Sequence, residues 1–181
     1  LTANRTIANL TVDAGGSINN GGNILTITED YTMNGTHSGT GVTRLTGTGS
    51  NISGTGNTSN SSNLEIRTGS KTILSSTVFN KPNGNIDIVD ASIIITNNGS
   101  VTIANDITGL NGTDHWINAN KSTLTRGGNL LNTGQFNSSA TGNTVTYNRA
   151  GAQNIKLPNA SQYNTLTISN SSVSSLTGNI I

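Results

Sequence analysis

The chain has 181 residues, of which 31% are hydrophobic, 3% aromatic and 9% charged, and its net charge is +1. Its nine basic and eight acidic side chains are scattered, so no row of cations exists to neutralise nucleic-acid phosphates or to hold a basic helix on a membrane surface. The lack of cysteine excludes disulfide staples and thiolate metal sites, and no apolar run approaches the length of a membrane span.

So little hydrophobic content would suit a disordered chain, but disorder usually brings charge and proline, and only 2 Pro are present. The apolar residues are mostly Ile, Leu and Val, which favour a pleated, half-buried strand surface. They recur in one phrase: polar, apolar, polar, apolar. In chain order it reads Asn9-Leu10-Thr11-Val12, Ile24-Leu25-Thr26-Ile27, Asn63-Leu64-Glu65-Ile66, Asn85-Ile86-Asp87-Ile88, Ser100-Val101-Thr102-Ile103, Thr144-Val145-Thr146-Tyr147 and Thr165-Leu166-Thr167-Ile168. Weaker copies stand at Arg44-Leu45-Thr46 and Thr123-Leu124-Thr125.

The first apolar positions step from Leu10 through Leu25, Leu45, Leu64, Ile86, Val101, Leu124 and Val145 to Leu166. The mean step is about 20 residues, in the range of solenoid repeats. A second apolar site follows many copies, as at Ile18, Met33, Ile52, Ile73, Ile93, Ile155 and Val173. Turns rich in Gly, Asn and Ser lie between, such as Ala14-Gly15-Gly16, Asn97-Asn98-Gly99 and Gly127-Gly128. The alternation has period two, so the elements are strands. An isolated strand pair cannot close a core, but coiling the repeats stacks their inward side chains in columns. The expectation is an all-β parallel β-helix (β-solenoid) of about nine coils, about 20 residues each, forming a single domain over 1–181. A chain that starts at Leu1, with no Met and no signal peptide, is expected to be an excised or processed segment of a longer repeat protein.

Asn9-Leu10-Thr11-Val12-Asp13-Ala14-Gly15-Gly16-Ser17-Ile18 resembles the repeats of large bacterial surface adhesins. So does Tyr163-Asn164-Thr165-Leu166-Thr167-Ile168-Ser169-Asn170 followed by Leu176-Thr177-Gly178-Asn179-Ile180. Both are similar to the filamentous-haemagglutinin-like and autotransporter-passenger β-helices. The resemblance runs along the whole chain and transfers no functional residue. It implies a right-handed coil, secretion to the cell surface or beyond, and an elongated structural or adhesive stalk without enzymatic activity or cofactor.

Several groups are candidates for chemistry. Asp114-His115-Trp116 is where a carboxylate, an imidazole and an indole coincide, and an exposed Trp116 would stack on a sugar of a glycan, host or matrix surface; a lone Trp more often fills a core. Glu65 and Asp87 fall at equivalent outward positions of adjacent coils, where paired carboxylates could cleave a polysaccharide or share a Ca²⁺ ion. The opposing view is that both are solvated charges, with Arg67 beside Glu65. Only His37 and His115 are available as imidazoles, without a pairing that suits zinc. Thr123, Thr125, Thr144, Thr146, Thr165 and Thr167 form three Thr-x-Thr phrases in consecutive coils, an outward array that resembles an ice-binding face. Neither end carries a polar cap, so Leu1, Ile180 and Ile181 are expected to take part in end-to-end stacking of one solenoid on another.

Overall fold

The computed structural model describes residues 1–58, 62–169 and 175–176. Among them there is no helix; the chain winds as a parallel β-solenoid of three sheets. The first sheet stacks Arg5–Ile7, Leu25–Ile27, Thr43–Leu45, Leu64–Ile66, Ile86–Ile88 and Ile107–Thr108 in that order. The second stacks Leu10–Val12, Tyr31–Met33, Ser50–Ser53, Lys71–Ile73, Ile94–Asn97, His115–Asn118 and Gln135–Asn137. The third, of eight strands, runs from Ser17–Asn19 through Thr36–Ser38, Asn57–Thr58, Val78–Lys81, Ser100–Ile103, Thr123–Arg126 and Thr144–Tyr147 to Leu166–Ile168. A last pair joins Asn154–Ile155 to Ser175–Leu176. Each coil thus contributes three strands, and about eight coils spaced by about 4.8 Å give a rod of about 38 Å.

Parallel register fixes the coil length. Leu64 lies against Ile86 and Ile86 against Ile107, steps of 22 and 21 residues. Val145 lies against Leu166, a step of 21. The turn is therefore slightly longer than the mean spacing of the sequence phrase, and there are about eight turns rather than nine. The difference has a cause: the phrase changes sheet. Leu10 sits in the second sheet, Leu25, Leu45, Leu64 and Ile86 in the first, and Val101, Leu124, Val145 and Leu166 in the third. The two steps of only 15 residues, from Leu10 to Leu25 and from Ile86 to Val101, are those jumps from sheet to sheet, not short coils.

Three-residue strands suffice because many of them bury two side chains and most are paired on both sides. In Leu25-Thr26-Ile27 and Ile86-Asp87-Ile88 the outer two residues are buried and the middle one faces out. Ile27, Ile66, Val101, Ile103, Leu124 and Val145 are all fully buried. Corner amides would otherwise be left unpaired, and asparagine and aspartate satisfy them one coil at a time. The Asn85 N–H donates to Asn63 Oδ1 at 3.0 Å, the Asp106 N–H to Asn85 Oδ1 at 3.2 Å, and the Asn129 N–H to Asp106 Oδ1. The corner into the second sheet repeats the device: the Asp30 N–H donates to Asn9 Oδ1 at 3.0 Å and the Asn51 N–H to Asp30 Oδ1 at 2.8 Å. This ladder explains why a chain poor in apolar residues, but rich in Asn, still folds into ordered coils.

Lysines cap corners from inside. Lys71 is fully buried, and its ammonium donates to the carbonyls of Gly47, Arg67 (3.1 Å), Thr68 (2.7 Å) and Gly69 (3.3 Å). Lys81, also buried, donates to Ser62 O at 2.7 Å. Lys156 reaches Leu131 O at 2.7 Å and Gly134 O at 2.9 Å.

Candidate functional site

The outward face of the third sheet carries the most regular arrangement. Thr123 lies against Thr144, and Thr125 against Thr146, which lies against Thr167. Thr165 precedes the last strand, and its carbonyl accepts from the Val145 N–H at 2.9 Å. Two further positions extend both columns, since Ser100 pairs with Thr123 and Thr102 with Thr125. The Thr123 hydroxyl lies 2.8 Å from that of Ser100. Sequence reasoning missed this fourth member because Ser100-Val101-Thr102 breaks the Thr-x-Thr spelling while keeping its geometry. Between the columns Val101, Leu124 and Val145 point inward and are fully buried. The sheet's Lys81 and Arg126 also point inward, so the outward face of its described strands bears hydroxyls, amides and the exposed Val78, but no charge.

Asp114, His115 and Trp116 do not converge. Strand alternation sends neighbours to opposite faces, so Asp114 and Trp116 point in and His115 points out. Trp116 is 0% exposed, packed in the column Ile95, Trp116, Phe136, with Nε1–H donating to Asn118 Oδ1 at 2.9 Å. The ring is therefore a core side chain, the commoner place of a lone Trp, and presents no face to a sugar in the folded chain. Asp114, equally buried, accepts from the N–H groups of Leu110 (2.8 Å), Asn111 (2.9 Å) and Ile93 (3.2 Å). Its carboxylate closes a corner and is not free for a ligand.

Glu65 and Asp87 are register neighbours, as their spacing suggested. Both are committed to the chain itself. Glu65 accepts from Arg44 Nε at 2.8 Å and Arg67 Nε at 3.1 Å, and Arg67 also reaches Asp90 at 3.4 Å. Burial, the largest single influence, raises the Glu65 carboxyl, but the hydrogen bonds and charges of Arg44 and Arg67 together outweigh it and hold the pKa below its ordinary value. Asp87 accepts from Asn63 and from the Thr108 hydroxyl at 2.8 Å. The four charges Arg44, Glu65, Arg67 and Asp90 form a belt across three coils of the first sheet.

His37 is buried between the Tyr31 hydroxyl, 3.0 Å from Nδ1, and the Thr43 hydroxyl, 3.4 Å from Nε2. Desolvation first and the nearby Lys81 charge second pull its pKa down to about 4, so it is neutral at physiological pH. At the chain start, Leu1 is 38% exposed and its amino group donates to the Asn19 carbonyl. Ile180 and Ile181, the other expected stacking residues, lie outside the described residues, as does Val173.

The buried bases predict a pH profile. Burial lowers Lys71 and Lys81 to about 8 from an ordinary 10.5. Between those values the unfolded chain binds more protons than the folded one, so stability rises as pH rises. Tyr31 and Tyr163 are pushed the other way by burial, well above the ordinary 10. Above pH 10 the unfolded chain loses protons that the folded chain keeps, and stability falls. His37 adds a loss as pH drops from 6.5 toward 4. Thermal melting followed by circular dichroism is expected to peak near pH 10, and Lys71→Met is expected to flatten the rise above pH 8. A profile that falls steadily from pH 8 to 10 would contradict this assignment of the lysines.

No family model, no curated protein and no solved structure matches this chain. What is established is the class: an all-β, three-sheeted parallel solenoid.

Proposed function

We propose that the chain is a stretch of a non-enzymatic extracellular rod, a bacterial surface stalk that acts through its length and its sides. One observation carries this reading. Three parallel sheets stack strand on strand along one axis, from Arg5–Ile7, Leu10–Val12 and Ser17–Asn19 onward, so the chain is a rod built by repetition of one coil. The strand edges that end such a stack are edges on which a second copy can pair. Support comes also from the carboxylates of Glu65, Asp87 and Asp114, each held by ion pairs or hydrogen bonds within the chain itself. The resemblance to surface adhesins points the same way. The partner in this reading is the protein itself, stacked end to end.

Sedimentation velocity over a wide concentration series tests it. Species of increasing length and constant width are the expected result. A chain that stays monomeric throughout would remove the pairing edges as a functional element.

The registered hydroxyl columns favour a second reading, binding to ice. Strand spacing sets one repeat of the array and the two-residue alternation sets the other, giving hydroxyls about 4.8 Å by about 6.6 Å apart. Such a face can order water in a lattice. Inhibition of ice recrystallisation that disappears when Thr146 and Thr167 are replaced by Tyr is the expected sign. No inhibition by the unaltered chain would end this reading.

A further inference from the structure

The corner between the third and first sheets holds a cleft of about 560 Å³, built around the Asn85, Asp106 and Asn129 corner ladder and reaching Thr102 at the edge of the hydroxyl columns. Its origin is a difference in corner length. Between Ser100–Ile103 and Ile107–Thr108 lie three residues, 104–106. The next coil also turns in three, 127–129, before Leu130 bridges to Ile107. The coil after it needs six, 148–153, between Thr144–Tyr147 and Asn154–Ile155. A long corner therefore overhangs two short ones. The notch is deepened by Gly127 and Gly128, which add no side chain to its lining; Gly128 is buried, whereas Asn105 and Asn148 on either side of it are exposed. Both glycines are required there. A Cβ on Gly127 would stand 2.4 Å from Ala104 O, and one on Gly128 would stand 2.3 Å from Asp106 Oδ1.

Chemistry repeats along the notch. Asn85, Asn105, Asn129 and Asn148 line it, one amide per coil, over about three coil steps or about 14 Å. The side chains of Asn105, Asn129 and Asn148 make no hydrogen bond to any described residue, and Arg149 forms no ion pair with one. Asp106, held by the Asn129 N–H, adds a carboxylate. The lining thus offers amides that both donate and accept, one acceptor-only group and one donor-only group. A carboxylate beside a single guanidinium disfavours a polyanion. The scarcity of large apolar side chains, with Ile103 and Ala104 as the main ones, disfavours a lipid or an apolar peptide. What matches is a ligand with a hydroxyl pair at each step of a linear chain, and the volume lies in the usual range for such sites.

We propose that this corner notch binds a linear oligosaccharide along the solenoid axis, with Asn105, Asn129, Asp106 and Arg149 as its hydrogen-bonding groups. The site lies on the side of the rod, so its test is separate from that of end-to-end pairing. An array of linear neutral and uronic-acid oligosaccharides is probed with the whole chain, and the best binder is then titrated calorimetrically. Arg149→Ala is expected to weaken binding about tenfold, the loss of one or two hydrogen bonds. Asn105→Trp, which places bulk at an exposed rim position, is expected to abolish it. Both variants should melt like the unaltered chain. An array without a binder would overturn the proposal. So would a binder whose affinity survives Asn105→Trp and Arg149→Ala, because its site would then lie elsewhere.

Discussion

Trp116→Ala is expected to destabilise the chain by about 3–5 kcal/mol, the usual cost of deleting a buried Trp. The ring is fully enclosed between Ile95 and Phe136 of the neighbouring coils, so no exposed surface softens the loss. A second cost adds to the cavity. Asn118 Oδ1 accepts from Trp116 Nε1 at 2.9 Å and from Asn97 Nδ2 at 3.1 Å, inside the core. Asn97 is in turn tied to Thr123 O at 3.0 Å and accepts from the Gly99 N–H, so the loss reaches the third sheet. Trp116→Phe separates the two effects: it keeps most of the volume, removes the N–H and is expected to cost about 1 kcal/mol for the hydrogen bond, plus whatever volume it leaves unfilled. Chemical denaturation followed by far-ultraviolet circular dichroism measures both. Equal, small losses for the two variants would place the indole at the surface.

Gly54→Ala is expected to be comparably severe. Its φ of +107° is a conformation that L side chains rarely adopt, and a Cβ there would stand 2.1 Å from Met33 O and 2.4 Å from Met33 C. Those are backbone atoms of the preceding coil, paired above and below, and cannot step aside cheaply. The backbone conformation contributes about 1–2 kcal/mol and the forced expansion about 1–3 kcal/mol. Gly112 is the control: its φ is not positive and a Cβ would meet nothing within 4 Å. Gly112→Ala is expected to be neutral or to stabilise by up to about 1 kcal/mol, by restricting the unfolded chain. If both substitutions proved harmless, the coils would not pack as closely as described.

The contrast between these glycines shows what sequence alone could tell. Alternation in phrases such as Leu25-Thr26-Ile27 revealed strands, inward columns and stacking. It did not reveal three sheets per turn, because many inward positions are polar. Thr43 occupies the column position of Leu25 and Leu64, and Lys71 opens a strand whose column neighbours are Ser50 and Ile95. His37, Asn97, Asn118 and Arg126 are further buried polar residues. A search for recurring Ile, Leu and Val passes over such strands and links phrases that belong to different sheets. Arg126 shows how far this goes: its guanidinium lies 4.4 Å from the centre of the Tyr147 ring, a contact that no periodicity announces.

The candidate sites divide along the same line. The Thr columns were legible because outward residues repeat in register whichever sheet bears them. The Asp114-His115-Trp116 group adjoins only along the chain, because strand neighbours face opposite sides and His115 points away from Asp114 and Trp116. The corner notch had no local signal at all. It depends on unequal corner lengths in neighbouring coils, which become visible only when residues 104–106, 127–129 and 148–153 are aligned by the strands that precede them.

Every site described here depends on coil-on-coil register, and the absence of cysteine makes that register directly measurable. Thr125 and Thr146 are Cα partners on one face of adjacent coils, whereas Thr26 stands on the first sheet, far along the rod. Cysteines at Thr125 and Thr146 are expected to be bridged efficiently by dibromobimane, giving the fluorescent doubly alkylated product, while cysteines at Thr26 and Thr125 are not. Bridging of the second pair as readily as the first, or of neither, would contradict the solenoid register and with it the hydroxyl columns, the pairing edges and the notch.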